Sequence, residues 1–82
     1  MHVWKVLRRE ASGAEHYVGD EHYTGSLLAR RWVMNRLSSG AVAGNWIKVG
    51  EDNWSMRVQE FGVEVTYIVE RWTAAPANRS AR

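Results

Sequence analysis

The sequence predicts an α+β fold: one small domain, with a single helix packed on one face of an antiparallel sheet of about four strands. Three observations carry this. Residues 45–72 contain three consecutive runs in which apolar and polar side chains alternate, the period of a half-buried strand. Residues 2–9 form a fourth short run, with apolar side chains at both parities. Between them, Leu28, Ala29, Trp32, Val33 and Leu37 recur at helical spacing.

In the first run, Val3 and Leu7 point one way and Trp4 and Val6 the other. A strand apolar on both sides belongs in the middle of a sheet, so it is placed beside the last strand. Residues 10–14 read as a turn, and Glu15 to Val18 as a short strand pairing back. Residues 15–26 hold an internal repeat, Glu-His-Tyr-Val-Gly-Asp followed by Glu-His-Tyr-Thr-Gly-Ser. His16 and His22 suggest a metal or acid–base site, but along a continuous strand they stand about 20 Å apart. A duplicated polar connection is the simpler reading, and no metal or cofactor is expected.

The helix is expected from Thr24 or Ser26 to Leu37, with one of those hydroxyls as N-cap and Gly40 near its stop. Arg30, Arg31 and Arg36 point in different directions around it, so they build no common basic face. Residues 38–44 form a small-residue loop.

The C-terminal meander sets its own register. Phe61-Gly62 is a two-residue turn, and it pairs Val58 with Val65, Met56 with Tyr67 and Trp54 with Val69. A four-residue turn, Gly50 to Asn53, pairs Val49 with Trp54 and Ile47 with Met56. Both hairpins then present one apolar face made of Ile47, Val49, Trp54, Met56, Val58, Val63, Val65, Tyr67 and Val69. The opposite face carries Trp46, Lys48, Arg57, Ile68 and Trp72, with Trp46 set to stack on Arg57. The domain is expected to span residues 1–72, with 73–82 a disordered tail.

Composition narrows the function. Eighty-two residues allow one domain. There is no cysteine, which leaves no disulfide framework, thiolate metal site or cysteine nucleophile. No apolar run approaches a membrane span, and the N-terminus lacks a secretory core, so a cytoplasmic protein is expected. The net charge of +2 vanishes without Arg79 and Arg82, so the folded part lacks the dense basic footprint of a charge-driven nucleic-acid binder. Nine arginines against two lysines suit a GC-rich genome such as that of an actinobacterium or its phage.

No phosphate loop, nucleophile elbow or zinc motif is present, so no enzyme is expected. The reading is a protein-interaction module binding a protein partner or another copy of itself. Five tryptophans exceed what one small core needs, and Trp and Arg are the residues enriched at interface hot spots. Trp46, Ile68 and Trp72, edged by Lys48 and Arg57, are the candidate surface, unless residues 10–23 cover it. The alternative is a nucleic-acid binder that stacks bases on the sheet and contacts phosphates through Arg8, Arg9, Arg30 and Arg31, with Lys48 and Arg57. A metal-dependent hydrolase at His16 and His22 is the remote third reading.

Overall fold

The structure, a computed structural model, describes residues 2–51 and 53–73. Its elements are β1 (His2–Arg9), β2 (Glu15–Tyr23), α1 (Ser26–Arg36), β3 (Val42–Ala43), β4 (Ile47–Val49), β5 (Asn53–Glu60) and β6 (Val63–Thr73). The fold is α+β, as expected, but the sheet has six strands instead of about four. Their order is β2-β1-β6-β5-β3, with β4 also pairing β5, and all the pairings are antiparallel. Strand β6 runs one residue past the expected domain boundary; the tail beyond it lies outside the described residues.

The β5–β6 hairpin has the expected register, with Val58 opposite Val65, Met56 opposite Tyr67 and Trp54 opposite Val69. Its turn is of the primed kind that matches strand twist, because both central residues have positive φ, Phe61 at 53° and Gly62 at 84°. Strand β1 lies between β2 and β6, and its two faces are sorted as read from the sequence. Val6 is buried on one side against Val69.

The core sits between α1 and one sheet face: Val6, Ala29, Val33, Met56, Val58, Val65, Tyr67 and Val69. Trp4, Trp32, Trp46 and Trp54 pack around it. Four of the five tryptophans are therefore used by this one small core, where each indole removes a large apolar area from water.

Three local expectations are corrected. Gly25, not Thr24 or Ser26, is the N-cap, and no side chain caps the helix. Its extended φ and ψ of −154° and 154° enter the helix by backbone geometry alone, and Gly is an acceptable N-cap. Leu28 remains half exposed, because the buried stripe narrows to Ala29 and Val33 where the helix lies closest to the sheet. Strand β2 is longer than expected. It continues to Tyr23 through a bulge, since Val6 pairs Val18 while Trp4 pairs Tyr23. The bulge begins at Gly19, where φ is 81° and a Cβ would stand 3.1 Å from the Trp32 ring. Glycine provides both the left-handed backbone and the room for that indole.

The largest correction concerns β4. Val49 pairs Asn53 and Ile47 pairs Ser55, so the turn before β5 has three residues instead of four. Side chains alternate with period two, so dropping one loop residue turns the whole strand over. Ile47 and Val49 leave the core face and are 62% and 52% exposed. Trp46 goes inward, and Lys48 Nζ lies 5.9 Å from the Trp54 ring centre.

Candidate interaction surface

Among the described residues nothing covers the sheet face opposite α1. The helix packs on the core side, against β6, β1 and β2 and, through Arg30 over the Trp54 ring, against β5. Residues 10–23 do not fold over the other side either; they supply a turn and the edge strand β2.

The strand registers lay out this face in rows that cross the strands. The middle row runs Ile47, Ser55, Ile68, Leu7, Tyr17 and is apolar except for the Ser55 hydroxyl and the Tyr17 phenol oxygen. On one side of it run Val49, Asn53, Glu70 and Lys5, then Trp72 and Val3. On the other run Arg57, Thr66, Arg9 and Glu15, then Gln59 and Glu64. Leu7, Ser55, Thr66 and Ile68 floor an open trough of about 720 Å³, and the β1–β2 turn at Glu10, Ala11 and Gly13 forms part of its rim.

Among the described residues the charges on this face balance: Lys5, Arg9 and Arg57 against Glu15, Glu64 and Glu70. Most are already engaged. Arg9 Nε donates to Glu15 Oε2 at 2.6 Å. Glu70 Oε2 accepts from Tyr17 Oη and from Trp72 Nε1, each at 2.7 Å. Lys5 Nζ lies 4.5 Å from the centre of the Trp72 ring and 5.2 Å from that of Tyr17, and the two rings meet edge to face at 5.8 Å. Burial first, and the Glu70 hydrogen bond second, push the Tyr17 phenol up to about 12. Arg57 is the loosest of the charges: its side chain is 80% exposed and reaches Glu64 only at 4.0 Å.

Of the residues singled out from sequence, this face brings together Arg57, Ile68 and Trp72. Trp46 and Lys48 are not among them, and Trp46 does not stack on Arg57. Leu7, Tyr17 and Ile47 are the members that sequence reasoning missed. The alternation in β1 puts Leu7 on this side of its strand, and the alternation of β2 extended through Tyr17 places that ring; Ile47 depends on a loop length.

The arginines proposed for phosphate contact do not converge. Arg8 points to the core side, where it donates to Glu10 Oε2 at 2.7 Å, Tyr67 Oη at 2.7 Å and Glu60 Oε1 at 2.9 Å. The Glu10 hydrogen bond raises the guanidinium pKa further, and the same contact holds the Glu10 carboxyl below its ordinary range. Arg9 lies on the opposite face. Arg30 stacks at 3.9 Å from the Trp54 ring centre, and Arg31 is exposed on the helix. His16 sits beside Arg8, its Nε2 3.6 Å from Glu10 Oε2; the His22 side chain lies outside the described part. Among the described residues no group of three or more His, Cys, Asp or Glu side chains could hold a metal ion. No helix among them is long and apolar enough to cross a membrane.

No family model, curated protein or solved structure matches this chain.

Proposed function

We propose that the protein is a non-enzymatic interaction module of the cytoplasm that binds a protein partner through the uncovered sheet face. The observation that carries this reading is the apolar row Ile47–Ile68–Leu7–Tyr17, set between two charged rows and left without cover by the described residues. Exposed Val42, Val49 and Trp72 extend the same face. A contiguous apolar patch with a polar margin is the usual form of a protein-binding surface. The balanced charge favours a protein over nucleic acid, because phosphate binding draws its affinity from an excess of cations. The exposed helix residues Leu27, Leu28 and Met34 form a smaller second cluster without a trough.

Ile68 is the centre of the face, so Ile68→Glu is the test. The variant is expected to keep the wild-type far-ultraviolet circular dichroism and to lose protein association, whether self-association in sedimentation or a partner retained on the immobilised chain. Nuclease treatment is expected to change neither. Association that survives Ile68→Glu, or material on the chain that nuclease removes, would overturn the reading.

A further inference from the structure

We propose that the partner of this face is a second copy of the same chain, docked face to face about a twofold axis that runs along the strands between β1 and β6. The inference rests on the interaction surface proposed above and names its occupant.

The argument is one of charge and shape complementarity. Such an axis lays β1 of one copy over β6 of the other, and β2 over β5. Each row of side chains then meets its own counterpart. In the middle row, Leu7 faces Ile68 of the other copy, and the two pairs form one apolar centre on the axis. In the next row Lys5 faces Glu70. In the third, Glu15 faces Arg57. In the outermost, Val3 faces Trp72. Every apolar residue in these pairs lies on an apolar one, and both pairs of ionised groups are of opposite sign. Placing the axis on β6 instead puts Glu70 on Glu70 and Arg9 on Arg57, which is repulsive. Of these two placements the charge pattern favours the first. It also provides an occupant for Arg57, whose own carboxylate neighbour is distant.

Shape agrees with this. Both copies carry the same right-handed twist, and two sheets of one hand nest when their strands run nearly aligned. Four strands at about 4.8 Å spacing give an overlap on the order of 500 Å² per copy, near the lower bound of specific interfaces, so the dimer is a reversible one. Strand β4 overhangs this footprint. Ile47 therefore lies on the apolar row but outside the dimer.

The diagnostic pair is Glu15 and Arg57. Within one chain they belong to β2 and β5, separated by β1 and β6, so about 14 Å lies between their strands and they cannot pair directly. The experiment is sedimentation equilibrium on the full chain over a concentration series. Wild type is expected to approach twice the 9.4 kDa chain mass. Arg57→Glu and Glu15→Arg are each expected to weaken the dimer about tenfold, through like charges placed opposite one another. The double swap restores it, and restoration cannot arise inside one chain. A chain that stays monomeric at every concentration, yet holds another protein in an Ile68-dependent way, overturns the dimer and leaves the interaction surface standing. A dimer indifferent to Ile68→Glu and to the swaps overturns both.

Discussion

Individual side chains here are held by charge-assisted contacts in which one group serves several neighbours. Arg8 is bonded to two carboxylates and a phenol at once, and its planar fork suits that task as a lysine ammonium would not. Glu70 plays the corresponding part on the other face for Tyr17 and Trp72. The Tyr17 phenol, held neutral up to about 12, has a consequence for stability. Between pH of about 10, where an unfolded tyrosine loses its proton, and about 12, the folded phenol keeps it. Its contribution is therefore complete below about 10 and is lost as pH rises through about 12. The ring is 47% exposed, so solvent screening keeps the effect small. A phenolate absorbance titration is expected to show a component near pH 12 in wild type that is missing in Tyr17→Phe. An unchanged curve in the variant would contradict the assignment.

At the scale of elements, turns decide more than strands do. The β5–β6 turn places Phe61 at a φ of 53°, a region that costs a residue with a Cβ of ordinary bulk and that Asn tolerates. The Phe61 ring is largely exposed, with an edge near Gly40, so little packing opposes a change. Phe61→Asn is expected to stabilise the fold by about 0.5–1 kcal/mol, read as a higher urea midpoint. A lower midpoint would mean that the contact over Gly40 outweighs the backbone gain. The three-residue turn before β5 acts in the opposite direction on legibility. One residue of loop length decides whether Trp46 or the pair Ile47 and Val49 enters the core. Apolar patterning favoured the pair, but the indole, larger than either aliphatic, is the group that packs against the core.

For the whole molecule, a sheet that the described residues cover on one side only is a thin structure. A chain of this length buries about 60–65% of its unfolded surface, and here all the fully buried apolar residues lie on the helix side. If a second copy supplies the missing cover, folding and association are linked, and stability depends on mass action. The urea midpoint of wild type is expected to rise with protein concentration, and that of Ile68→Glu to stay constant. A wild-type midpoint independent of concentration would separate the fold from any dimer.

The sequence by itself determined the α+β class, the β5–β6 register, the central place of β1 and the two faces of each of those strands. These follow from local rules: period-two alternation and a turn whose residues can take positive φ leave one register that keeps apolar side chains together. Arg57, Ile68 and Trp72 were legible for the same reason. The tertiary structure decided what local rules leave degenerate. Edge strand β4 pairs only β5 among the described strands, and its local pattern accepts either parity; the loop and the room for Trp46 chose. The bulge at Gly19 was settled by the approach of Trp32 from the helix, a contact between residues that no strand pattern relates. Which tryptophans form core and which surface was decided by where the helix lies on the sheet, because an indole's burial is a property of its neighbours and not of its own position in the chain.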